Sequence, residues 1–216
     1  MVSTQVSAQE LFQSAYENRY TWDRSFPGYT ADVTFRHDDR TVQGHIQVSS
    51  ELKPTVSDVA DEESQKAIHN QLFEVAIHRI RRTFADVHSK NTFSYGDTDE
   101  TGAVEIIVGG KGEGDSYRLR NNEVSMVHRH IHGVVVTIYT SSSHDTGEGY
   151  LSHRYDSVYH DPKTGEQKGG KSVYEDEYEK VGDFFLLNRR LIQTETPDGT
   201  QEMEFKFSNF KLLVAN

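Results

Sequence analysis

From about residue 92 to its C-terminus the chain is one short alternating run after another, broken by turns that contain Gly, Asn or Asp. Alternation of period two gives a strand one apolar and one polar face. Successive runs joined by short turns pair antiparallel, since parallel pairing would need a long crossover after every strand. The runs are Phe93 and Tyr95; Val104, Ile106 and Val108; Tyr117 and Leu119; Val124 and Met126; Val134, Val136 and Ile138; Tyr150 to His160; Val173 to Glu179; Phe184 to Thr194; and Met203 to Leu213. Turns are expected at Asp97–Gly102, Asn121-Asn122, Pro162–Gly165 and Pro197–Gly199, with a loop over Ser141–Gly149.

Upstream, Ser7 and Glu10 have capping-box spacing ahead of Leu11, Phe12, Ala15 and Tyr16, which predicts a short helix over residues 8–18. Tyr29, Ala31, Val33 and Phe35 alternate with polar residues, turn at His37–Arg40, and continue as Val42, Gly44, Ile46 and Val48, the pattern of a hairpin. Pro54 interrupts the next extended piece. One long amphipathic helix is then predicted near residues 58–87, opening with Asp58, Asp61, Glu62 and Glu63 and closing with Arg79, Arg81 and Arg82. Those charges complement the helix dipole, which already accounts for the basic end without an anion. Phe73, Ile77, Ile80, Phe84 and Val87 are its expected buried stripe, widened by Leu72 and Ala76, with His69 as a core histidine. The fold class that follows is α+β: a large curved antiparallel sheet of about eight to ten strands, half-barrel or barrel-like, packed against one long amphipathic helix and a short N-terminal one. The whole chain, residues 1–216, is expected to be a single domain.

Composition narrows the function classes. Apolar residues make up 34%, yet 11 Tyr and 11 Phe are too many for a disordered chain. A net charge of −11 argues against nonspecific binding to nucleic acid or anionic membranes. No apolar run is long enough for a membrane span. The N-terminal stretch lacks a secretory signal, which predicts a soluble cytoplasmic protein. There is no cysteine, so disulfides, thiolate metal sites and cysteine nucleophiles are excluded.

Several stretches resemble catalytic motifs only in part. Gly109–Gly114 has the glycines of a phosphate loop, but Gly112 follows Lys111 where Ser or Thr is needed, and a hairpin loop is expected. Ser141–Asp145 holds the residue types of a hydrolase triad, but consecutive residues cannot adopt its geometry. Glu175, Asp176, Glu177 and Glu179, alternating with Tyr174 and Tyr178, are expected on a solvated strand face. His128, His130 and His132 share a face if they lie on one strand, so they are candidate metal ligands with His153 as a donor from a neighbouring strand. The commoner role of such histidines is a polar sheet face, or the mouth of an apolar cavity.

The segments Asn18–Trp22, Phe26–Ala31, Asp99–Val104, Asp145–Leu151 and Phe207–Asn209 resemble an uncharacterised family of cyanobacterial and chloroplast proteins. The resemblance spans nearly the whole chain and implies a photosynthetic source, but no reaction. A looser resemblance is to the lipoprotein-carrier fold, which shares the order of N-terminal helix, hairpin, central helix and meander. It implies a curved sheet over an apolar cavity, although this chain lacks the carriers' export signal.

Three functions follow as expectations. The first is a non-enzymatic protein holding an apolar small molecule, lipid or pigment-like, with Trp22, Phe84, Arg154 and Tyr155 as ligand contacts. The second is an interaction or assembly factor for photosynthetic complexes, with Arg19 and Tyr20 exposed for a protein partner beside Trp22, Arg154 and Tyr155. The third is a metal-dependent enzyme built on His128, His130 and His132.

Overall fold

The computed structural model describes residues 6–23 and 25–214. They form helices α1 (Ala8–Glu17), α2 (Glu62–Arg79) and α3 (Phe84–His88). The strands are β1 (Gly28–His37), β2 (Arg40–Ser49), β3 (Pro54–Ser57), β4 (Asn91–Thr98), β5 (Val104–Gly110), β6 (Ser116–Arg120), β7 (Glu123–Ile131), β8 (Val134–Asp145), β9 (Tyr150–His160), β10 (Gln167–Val181), β11 (Phe184–Thr196) and β12 (Gly199–Leu212). Twelve strands exceed the expected eight to ten: the short piece that begins at Pro54 joins the ladder as β3, and β8 is longer than expected, running on to Asp145 through what was expected to be loop. The chain divides into two compact units, Met1–Tyr20 with Arg82–Ser172 and Thr21–Arg81 with Val173–Asn216.

In the first unit the hydrogen-bonded strand order is β10-β9-β8-β7-β6-β5-β4. Tight turns set the register. Asn121 and Asn122 take φ of 53° and 59°, and His132 and Gly133 take 50° and 79°. Two successive positive φ values match the right-handed twist of a two-residue hairpin, which Asn and Gly tolerate best. Helix α1 carries the expected capping box between Ser7 and Glu10 and buries Ala8, Phe12 and Ala15. Phe12 is the hub of the core: its ring lies 4.3 Å from Tyr117 and 5.4 Å from both Phe84 and Phe93, centroid to centroid. Ile106, Val108 and Leu119 complete that cluster. His88 is buried against Phe12 at 5.1 Å, and its Nδ1 accepts from the Asn91 side-chain amide at 3.2 Å. Burial, followed by the Arg129 and Arg19 charges, lowers the His88 pKa from 6.5 to about 4.

In the second unit the order is β3-β2-β1-β12-β11-β10. Phe35 pairs with Val42 on β2 and with Phe205 on β12, and Phe205 pairs with Arg190 on β11, so these side chains share a face. On that face lie Tyr29, Ala31, Val33, Ile46, Val48, Leu186, Ile192 and Phe207, all buried.

The long helix of the sequence reading is two helices. Arg79 ends α2, and Ile80 is extended at φ −65°, ψ 125°. Two causes are visible. The Trp22 amide takes the Arg79 carbonyl at 2.9 Å, capturing a C-terminal acceptor. Thr83 and Asp86 then form their own capping box and start α3 afresh. The start also moves inward: Asp61 is the N-cap, and Asp58 sits outside the helix at φ 59°. The buried stripe is a different one as well. Helix α2 buries Ser64, Ile68, Leu72, Val75 and Ala76, while Phe73 and Ile77 are 51% and 40% exposed, Val87 is exposed, and His69 lies outside the core, stacked on Phe73. The predicted stripe assumed one continuous helix through Phe84, and the break at Ile80 removes that phase relation.

Two outcomes follow for the first unit. Phe12→Ala is expected to cost about 3–5 kcal/mol in urea unfolding, as for other buried aromatics. The folded His88 pKa lies below its unfolded value, so the unfolded state binds more protons between about 6.5 and 4. Stability therefore falls as pH drops through that window. The urea midpoint should fall between pH 7 and pH 5, and His88→Gln should flatten that fall; an unchanged slope would show that His88 is not its source.

Candidate functional site

The alternation of β10 sorts its charged residues onto two faces. Tyr174, Asp176 and Tyr178 point one way, and Glu175 and Glu177 the other. Adjacent Arg189 and Arg190 on β11 do the same. On the outer face Arg189 donates to Glu204 at 2.7 Å, Glu177 at 2.9 Å and Glu175 at 3.2 Å. The hydrogen bond that Arg189 donates to Glu204 leads the carboxylate contacts that hold the guanidinium well above its ordinary pKa.

On the inner face, beneath α2, Arg190 and Asp176 form a buried bidentate pair. Arg190 Nε donates to Asp176 Oδ1 at 2.8 Å, and Nη2 to Oδ2 at 2.6 Å. Only 5% of the Arg190 side chain and 2% of that of Asp176 reach solvent. The guanidinium lies 5.8 Å from the Tyr174 ring centre. The Tyr178 hydroxyl donates to Asp176 Oδ2 at 3.3 Å and accepts from Arg79 Nη2 at 3.3 Å. Burial, and then the charge of Asp176, push the Tyr178 phenol up, so it stays a donor. Arg190 Nη1 reaches the helix: it donates to Gln71 Oε1 at 2.9 Å and stands 3.6 Å from Glu74 Oε1. The pair thus belongs to the sheet, and α2 is tied to it through Gln71, Glu74 and Arg79.

A cavity of about 100 Å³ opens at the N-terminal end of α2, where Ser64 and Ala67 face Phe35, Val42 and Met203. A shallower groove of about 760 Å³ lies along β1–β3, where Asp32 accepts from Asn209 at 2.6 Å and contacts His45 Nδ1 at 2.7 Å.

The residues singled out from sequence do not converge on one place. Trp22 and Tyr20 are buried, not exposed. Trp22 stacks on Phe26 at 4.1 Å and donates its indole N–H to the Phe185 carbonyl at 3.2 Å. Tyr20 bonds the Tyr150 carbonyl through its amide. Arg19 is half-buried over the Tyr16 ring at 3.9 Å. Phe84 is in the Phe12 core of the first unit. Arg154 is exposed on β9 and Tyr155 is half-buried there. His132 stands in the β7–β8 turn, so it leaves the strand face that His128 and His130 share. His128 Nδ1 meets the Thr137 hydroxyl at 2.9 Å, and Asp115 Oδ1 takes the His130 amide at 2.9 Å. Burial, and then His130, hold the His128 pKa down. Among the described residues no group of three or more His, Asp or Glu side chains is arranged to hold a metal ion.

What the sequence reading missed is the Arg190–Asp176 pair with its Gln71, Tyr178 and Arg79 partners. The acidic run around Asp176 predicts a solvated face for it and its glutamate neighbours alike. Strict period two would have placed it with the two tyrosines, on the face that also receives one of two adjacent arginines.

No helix among the described residues is long and apolar enough to cross a membrane. Among solved structures the chain is similar to a LolA superfamily protein from Nitrosomonas europaea, at 8% identity over 98% of this chain and 96% of that one, with a TM-score of 0.40. It is also similar to a chain of the Pseudomonas aeruginosa MucA/MucB complex, at 9% identity over 96% and 99%, with a TM-score of 0.27. Likeness of that degree carries no argument about this chain. No curated protein matches the sequence. A family model described as protein of unknown function, DUF3386, matches residues 3–213, and the chain belongs to that uncharacterised family.

Proposed function

We propose that the protein is a non-enzymatic binding protein that takes up an apolar molecule between α2 and the sheet face of the second unit, with the Arg190 network as the latch. The carrying observation is how α2 is fastened. It covers buried apolar side chains, yet its polar ties end on a pair of residues that both belong to the sheet. If α2 lifts, Arg190 remains neutralised by Asp176, so no bare charge is left in the interior, which would otherwise be the dominant cost of opening. The cavity of about 100 Å³ is well below the roughly 300–1,000 Å³ of small-molecule sites, so a lipid-sized guest requires that movement. A polar head on the guest would take the place of Gln71 at Arg190 Nη1. Of the ligand contacts expected from sequence, Trp22 belongs to this unit, where it is stacked on Phe26.

Titration with a dansyl-labelled fatty acid, read by fluorescence, should give saturable binding. Gln71→Ala with Glu74→Ala removes two ties of about 0.5–1.5 kcal/mol each and should tighten binding about tenfold by raising the open population. Absence of saturable binding by both proteins would overturn the proposal. The latch itself has a stability signature. Asp176→Ala strands a buried guanidinium and should cost about 3–5 kcal/mol, whereas Asp176→Leu with Arg190→Met should recover most of that loss in urea unfolding. A single variant as stable as the double one would show that the pair is not buried as described.

A further inference from the structure

We infer that the guest beneath α2 is an uncharged lipid whose head pairs a carbonyl with an N–H or O–H, as a fatty amide or a monoacylglycerol does, and that Asn188 is its second polar contact. The inference rests on the binding reading above and names the chemistry of that site. Helix α2 itself supplies the stand-in for such a head: Gln71 Oε1, the oxygen of a neutral amide, takes the bond from Arg190 Nη1 at 2.9 Å. A carbonyl of the guest in that position reproduces the bond, which is stronger than an ordinary one because its donor is charged.

Charge decides against an ionised head. Asp176 already matches the Arg190 guanidinium through bonds of 2.8 and 2.6 Å, with 5% and 2% of the two side chains exposed. Glu74 Oε1 stands 3.6 Å from Nη1, and Arg79, bonded to the Tyr178 hydroxyl at 3.3 Å, supplies a second cation. Two cations thus face two carboxylates. A carboxylate from the guest would be a third, buried without compensation, which is the most costly group an interior can take up.

The second half of the head is read from an orphaned acceptor. Alternation along β11 puts Asn188 on the face of Arg190 and Ile192, between the Gln71 contact at Arg190 and the Trp22 contact at Phe185. Asn188 Oδ1 is buried there, and among the described residues none donates to it. A buried acceptor left unmatched is costly and uncommon. An N–H or O–H beside the carbonyl of the guest would satisfy it, whereas a simple ester would not.

Fluorescence titration at pH 8 with three probes of one chain length tests this: the dansyl-labelled fatty acid, its methyl ester and its primary amide. The amide should bind about tenfold tighter than the ester, and the acid weakest of the three. Bulk partitioning predicts the reverse order for amide and ester, since the ester is the more apolar. Asn188→Leu should bring the amide down to the ester while leaving the circular dichroism spectrum unchanged and the acid still weakest. If that variant does not fold, the wild-type order alone decides. An acid that binds as tightly as the amide, an ester that binds tightest, or a folded Asn188→Leu that keeps the preference for the amide would each overturn this inference and leave the binding reading standing. Saturation by none of the three would overturn both.

Discussion

The structure of the second unit depends on one interaction, the bidentate bond between Arg190 and Asp176. Two charges this deeply buried are tolerated only because the guanidinium fork matches the carboxylate, and because Tyr178 and Gln71 occupy further hydrogen-bonding positions. That demand fixes the side-chain conformations of Asp176 on β10 and Arg190 on β11. It also fixes where α2 must lie, since Gln71 and Glu74 are spaced to reach one guanidinium from one turn of helix. An all-apolar contact would have let α2 slide, whereas a directional hydrogen bond does not.

The same interaction separates holding from sealing. The apolar residues Ile68, Leu72, Val75 and Ala76 seal the sheet face, and the polar ties decide where the helix sits when it is down. Because the compensating carboxylate is on the sheet, lifting the helix would strand no charge, and its cost would be the apolar face uncovered together with a few hydrogen bonds. The proposed binding role of α2 rests on this division of labour and not on any likeness to another fold.

Much of the architecture was legible in the sequence. Period-two runs and their Asn, Gly and Asp turns located the meander, the β1–β2 hairpin and the α1 capping box, since each depends on chemistry within a few residues. The failures share a different cause. The Phe73-to-Val87 stripe was drawn through Ile80, but the helix ends there because Trp22, far away in sequence, takes the Arg79 carbonyl. His132 looked like a third strand ligand until a tight turn claimed it. Asp176 looked solvent-facing because its neighbours are acidic, and only its distant partner Arg190 explains its burial. Local pattern carries no information about which remote residue completes a site.

The central claim is that α2 can leave the sheet while the Arg190–Asp176 pair stays intact. Hydrogen–deuterium exchange resolved by peptide tests it most directly, comparing α2 with β10 and β11 in the wild-type protein and in Gln71→Ala. The account predicts that α2 exchanges faster than the two strands, and that Gln71→Ala accelerates α2 alone. Exchange of α2, β10 and β11 in concert, with the variant moving all three together, would contradict it.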